Sequence, residues 1–124
     1  MKKSAKKKIL IVEDEEYERN GLVALLSDHN FEIKAVANGH FALEQLQSEV
    51  FDLVITDIMM PATDGLTFLH KLRSSGSKVP VLVMTGNENM QNMLSDYQLG
   101  ALDVIYKPFA FSEMIETIRR VLPD

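Results

Sequence analysis

Four places in this 124-residue sequence carry side chains suited to chemistry on a charged group: Glu13-Asp14, Asp57, Thr85 and Lys107. Each closes a short β-rich, largely apolar run. If the acids converge, they repel: two carboxylates about 4 Å apart cost roughly 4 kcal/mol at an effective dielectric near 20. Glu13, Asp14 and Asp57 therefore need a cation to share one pocket. All-oxygen ligation on a partly open edge suits Mg²⁺, which keeps several waters and bridges to phosphate. With Lys107, that ion balances the three carboxylates. An acid after a strand ordinarily caps the next helix and stays solvated, and Glu15, Glu16 and Glu18 read that way. Asp57 resists that reading, because the apolar run Leu53 to Ile55 leads into it and Ile58-Met59-Met60-Pro61 comes directly after.

Five elements must position these groups. Runs at Lys8 to Val12, Phe31 to Val36, Asp52 to Thr56, Pro80 to Thr85 and Leu102 to Tyr106 read as strands. Five segments with helical spacing alternate with them: Leu22, Leu25 and Leu26; Ala42, Leu43 and Leu46; Leu66, Leu69 and Leu72; Met90, Met93 and Leu94; and Met114, Ile115, Ile118 and Leu122. Asn38-Gly39, Asp64-Gly65, Ser74 to Lys78, Gly86-Asn87, Gly100 and Lys107-Pro108 break the pattern where turns are needed, and Ser112 reads as the N-cap of the last helix. Five βα units of about 24 residues predict an open, doubly wound α/β fold, because right-handed crossovers leave few alternatives and a closed barrel needs eight units. The near-continuous apolar strands fit a parallel sheet buried on both faces. With strand order 2-1-3-4-5, the flavodoxin-like order, strands one and three are neighbours. The acids then meet in the crevice at the carboxyl ends of the strands.

Composition narrows the function classes. The net charge is −5, yet five lysines (Lys2, Lys3, Lys6, Lys7 and Lys8) fall in the first eight residues, which leaves residues 9 to 124 at −10. Phosphate-backbone binding needs clustered positive charge, so direct nucleic-acid binding is disfavoured. Residues 1–7 read as a flexible basic tail and 8–124 as one domain. The apolar stretch behind the lysines, Ile9 to Val12, is too short for a signal peptide, and no run can span a bilayer, so a cytoplasmic location is the default. The absence of Cys and the scattered His29, His40 and His70 disfavour zinc and thiol chemistry.

Over residues 7 to 122 the sequence resembles the receiver domain of two-component response regulators, similar to the single-domain chemotaxis regulators. The resemblance rests on Ile9-Leu10-Ile11-Val12-Glu13-Asp14, Asp57-Ile58-Met59-Met60-Pro61 with Asp64-Gly65, Thr85-Gly86, and Lys107-Pro108-Phe109. It implies that Asp57 is the phosphoacceptor, Asp14 a direct Mg²⁺ ligand and Glu13 an acid acting through metal-bound water. The Met59 backbone carbonyl completes the protein ligands, Thr85 and Lys107 hold the phosphoryl group, and Lys107-Pro108 is a cis peptide bond. The implied partner is a sensor histidine kinase or histidine phosphotransfer protein, with homodimer or effector contacts through the fourth and fifth helical segments and strand five. Such a domain catalyses only its own phosphorylation and dephosphorylation. The chemistry is consistent: a weak carboxylate nucleophile needs positioning and charge neutralisation more than a strong base.

The match departs from the family at two places. Val104 stands where an aromatic switch residue is common, and Tyr106, on the same strand face by alternation, is the candidate replacement. Bulky Met59 and Asn87 border the water path to the phosphoryl group, which predicts a long-lived phosphoryl state. Met93 and Met114 read as core, and Asp103 and Arg119 as candidates for salt bridges across a dimer. Two enzymatic or redox alternatives share elements of the pattern. A flavodoxin-like electron carrier needs a phosphate loop where Glu13-Asp14-Glu15-Glu16 would repel it. An aspartyl-nucleophile phosphatase needs a second acid where Met59 stands. A third reading keeps the same site and chemistry and makes the chain the receiver portion of a longer regulator with its own effector domain.

Overall fold

The structure, a computed structural model, describes residues 6–58, 65–86, 101 and 103–122. Within them the order is β1 (Lys8–Val12), α1 (Glu16–Ser27), β2 (Glu32–Val36), α2 (Gly39–Ser48), β3 (Leu53–Asp57), α3 (Gly65–Ser74), β4 (Val81–Thr85), β5 (Asp103–Tyr106) and α4 (Phe111–Val121). The helical segment expected around Met90, Met93 and Leu94 lies outside the described residues.

All five strands are parallel and ordered β2-β1-β3-β4-β5, the expected order. Alternation along each strand splits the core into two. Leu10, Val12, Val54, Val81 and Val83 point to one face and pack with Ala42 of α2 and Phe68, Leu69 and Leu72 of α3. Ile9, Ile11, Leu53, Ile55, Leu82, Met84 and Ile105 point to the other and pack with Leu22 and Leu26 of α1 and Met114, Ile115 and Ile118 of α4. Ile9 to Val12, Leu53 to Ile55 and Val81 to Met84 are wholly inaccessible to solvent, which is why these strands read as unbroken apolar runs. Burying one such side chain contributes about 1.5–3 kcal/mol, so the two layers hold the sheet rigid beneath its carboxyl edge.

Local chemistry sets where the helices begin. The Glu15 carboxylate accepts from the Tyr17 and Glu18 amides and caps α1, and Asn38 caps α2 through the Phe41 amide. The expectation for Ser112 fails. The N-cap of α4 is Ala110, which has extended backbone angles and no side-chain cap, and Ser112 is the second residue of the helix. A serine inside the first turn has helical backbone and cannot take the cap geometry. Met114 is fully buried, in line with its reading as core. Within the chain, Arg120 engages Asp103 at 2.6 Å.

Gly65 is a position where only glycine fits. A Cβ there would lie 2.5 Å from the Ile58 Cα and 2.8 Å from the Asp57 carbonyl oxygen. Its amide donates to the Ile58 carbonyl at 3.0 Å, so the start of α3 is drawn directly onto the end of β3.

Candidate functional site

Backbone hydrogen bonds continue one step past the ends of the strands and pin the chain where the polar residues stand. The Glu13 amide donates to the Val36 carbonyl, Ile58 to Met84 and Lys107 to Thr85, at 3.1, 3.1 and 2.7 Å. Register then places Asp57 opposite Met84 and Thr85 opposite Tyr106. The ends of β1, β3, β4 and β5 thus form one shelf. The Lys107-Pro108 bond is cis.

On that shelf Glu13, Asp14 and Asp57 each offer a carboxylate oxygen, all within 4.8 Å of one another. Glu13 and Asp57 are buried, at 1% and 7% exposure, whereas Asp14 is open to solvent. The Lys107 ammonium reaches Asp57 Oδ2 at 2.7 Å, Glu13 Oε1 at 3.3 Å and Glu18 Oε2 at 3.4 Å. An ammonium has three donors, and each finds a carboxylate. Burial alone would lower the Lys107 pKa, but the hydrogen bond and charge of Asp57, with Glu13 and Glu18, outweigh it and push the group up. Burial pushes the Glu13 carboxyl up to about 7, and the nearby Asp57 charge adds to the rise, against the opposing Glu15 amide and Lys107. One ammonium does not satisfy this many acids. The donor set, hard oxygens on a half-open edge, fits a small divalent cation.

Two further contacts hold the acid pair. Glu13 Oε2 accepts from the Glu15 amide at 3.1 Å, and the Arg19 guanidinium donates to the Glu13 carbonyl at 2.9 Å. A groove of about 640 Å³ opens beside Lys107, walled by Tyr17, Gly21 and Leu22 of α1, Met84 of β4, and Phe109 and Phe111. Tyr17 and Phe111 remain 87% and 60% exposed on its rim.

The predicted residues Glu13, Asp14, Asp57, Thr85 and Lys107 all stand on the shelf, and Thr85 is fully buried. Val104 and Tyr106 share a face of β5, opposite the buried Ile105; Val104 packs on the core and Tyr106 is half-buried. Met59 and Asn87 lie outside the described residues. Glu18, expected as a solvated acid at the helix start, contacts Lys107 instead. The sequence carried a signal for this: Glu18, Leu22 and Leu26 are spaced by four, so the inward stripe of α1 extends one turn back to Glu18.

The family model for the response regulator receiver domain matches residues 9–119. Response regulator MprA of Mycolicibacterium vanbaalenii is 34% identical over 115 residues, covering 93% of this chain and 50% of its own length. Transcriptional regulatory protein PcoR of Escherichia coli is 35% identical, covering 93% and 51%. The chain thus spans about half the length of the curated relatives it matches. Among solved structures, the chemotaxis protein CheY4 of Vibrio cholerae superposes with a TM-score of 0.87 at 29% identity, covering 95% of this chain and all of its own. Response regulator TrrA of Thermotoga maritima, solved in complex with Mg²⁺-BeF, superposes at 0.82 with 32% identity, covering 94% and 99%. The shelf of acids and lysine at the carboxyl edge of a 2-1-3-4-5 sheet, and the match over residues 9–119, make this chain a member of the response regulator receiver domain family.

Proposed function

We propose that this domain accepts a phosphoryl group on Asp57 from a histidine kinase or a histidine phosphotransfer protein, with Mg²⁺ as cofactor. The observation that carries the reading is the Asp57 carboxylate held 2.7 Å from Lys107 beside Glu13 and Asp14. An Asp57 carboxylate oxygen attacks phosphorus while the bond to the donor nitrogen breaks, leaving its electron pair on the imidazole. Lys107 keeps the nucleophile oriented and then donates to the phosphoryl oxygens, and the Thr85 hydroxyl donates to another. Glu13, Asp14, Asp57 and the Met59 carbonyl would hold the cation, whose contribution when bound is to neutralise charge on the phosphoryl oxygens. The TrrA complex with Mg²⁺-BeF supports this assignment.

The product is a changed surface rather than a released metabolite. Added charge at Asp57 draws on Thr85, which faces Tyr106 across the β4–β5 ladder, so β5 and the α4 residues packed on it belong to the responding face. Tyr106 takes the aromatic role at that face, with Val104 beneath it. Residues 8–124 act as the signalling unit and residues 1–7 as a basic tail. The domain makes no direct nucleic-acid contact, and its place is the cytoplasm; among the described residues no helix is long and apolar enough to cross a membrane. The test is incubation with acetyl phosphate and Mg²⁺ followed by intact mass. Wild type gains one phosphoryl mass and Asp57→Ala gains none; an unmodified wild type would overturn the reading.

A further inference from the structure

Glu18 has no part in the chemistry above, yet its carboxylate is 3.4 Å from the Lys107 ammonium and its side chain is 47% exposed. It is the longest and most solvated of the three lysine contacts; the side chains of the other two acids, Glu13 and Asp57, are buried. All three ammonium donors are therefore engaged before any phosphoryl group arrives. For Lys107 to donate to phosphoryl oxygens, a carboxylate must let go, and Glu18 is the one whose oxygens water can take over. Its carboxylate also lines the groove that opens beside Lys107.

We propose that Glu18 is a specificity residue that discriminates phosphodonors by charge: its carboxylate on Lys107 slows transfer from doubly charged small donors more than from singly charged ones. The inference rests on Asp57 being the phosphoacceptor. Acetyl phosphate carries two negative charges on its phosphoryl end; the Asp57 oxygen bonds to phosphorus as the bond to the acyl oxygen breaks, and acetate leaves with the electron pair. Zwitterionic phosphoramidate carries a net single charge and releases neutral ammonia without a further proton. Coulomb repulsion from Glu18 scales with donor charge, so removing it favours the dianion by about the square of its effect on the monoanion. A phosphohistidine donor on a protein surface escapes this penalty where cationic side chains face Glu18.

The experiment measures phosphorylation rates with both donors at saturating Mg²⁺ and low ionic strength, for wild type, Glu18→Gln and Glu16→Gln. Gln keeps the acceptor and removes the charge. Glu18→Gln is expected to speed acetyl phosphate by about four- to ninefold and phosphoramidate by about two- to threefold, with both gains shrinking at high salt. Glu16→Gln removes the same charge from another exposed residue at the start of α1 and is expected to change neither rate by more than about 1.5-fold. Equal gains for the two donors, gains that persist in high salt, or a Glu16 variant matching the Glu18 variant would overturn the proposal. A wild type that accepts no phosphoryl group from either donor would instead remove the phosphoacceptor reading, and the proposal with it. A wild type that is phosphorylated alongside an unchanged Glu18→Gln would overturn the charge discrimination alone.

Discussion

The Lys107 ammonium and the Asp57 carboxylate meet at 2.7 Å although fifty residues separate them in the chain. The pair forms because β3, β4 and β5 end at a common level. Lys107→Ala leaves Glu13 and Asp57 facing one another with no ammonium between them. Removing one partner of a fully buried pair costs about 3–5 kcal/mol, and the half-open rim here reduces that to about 2 kcal/mol. Urea unfolding in chelator should show this loss, and millimolar Mg²⁺ should recover part of it. Phosphorylation should slow by at least about a hundredfold. Unchanged stability in chelator would mean that the carboxylates do not share the lysine.

Divalent cations should stabilise the domain. Binding to the folded state alone adds about 1.4 kcal/mol at tenfold excess over Kd, which for a domain of this size raises Tm by about 3–6 °C. Asp14→Ala should abolish the rise, measured by scanning calorimetry with Mg²⁺ and with chelator. A shift that survives in Asp14→Ala would place the ion elsewhere.

Gly65→Ala drives a methyl group into the backbone at Ile58 and Asp57. Forced overpacking of this kind costs about 1–3 kcal/mol. Because the clash falls on the residue that carries the nucleophile, the phosphorylation rate should fall as well, by about tenfold. A variant that loses stability but keeps its rate would show that α3 shifts rather than β3.

Glu49 should make stability depend on pH. Hydrogen bonds from Lys34 and Lys8 hold its carboxyl below the usual carboxylate range. A depressed acid contributes its stability above the unfolded value, about 4.5, and loses it as pH falls through the folded value. The Tm difference between wild type and Glu49→Gln should be largest at neutral pH and shrink as the pH falls below the unfolded value. A difference that stays constant from neutral pH into the acid range would exclude the ion pair as its source.

Much of this architecture is legible from residue patterns. Ile9 to Val12 and Val81 to Met84 announce strands buried on both faces, and the polar residue after each marks the functional edge. The 2-1-3-4-5 order is one of the orders that put helices on both sides of such strands, so residue patterns narrow the order without deciding it. Ser112 misleads because a capping residue type stands at the second position of the helix, while the extended residue that precedes the helix is Ala110, which has no capping side chain. Glu18 reads as a solvated acid because its partner, Lys107, is 89 residues away and only the packing of α1 joins them. Gly65 reads as a turn residue, whereas its real constraint is the backbone it touches.

The amino edge of the same sheet carries a second charged group: the Lys8 amide donates to Asp52, and the Lys8 and Lys34 ammoniums hold Glu49. Lys8 begins β1, Glu49 and Asp52 precede β3 and Lys34 stands in the middle of β2, while Glu13, Asp57 and Lys107 end strands or lie just past them, so packed strand residues lie between the two groups. Sites that far apart and without shared partners combine almost independently in their free energies. The amino rim can therefore be altered for durability with little effect on the carboxyl rim, where the same substitutions that change the site also change the stability of the fold.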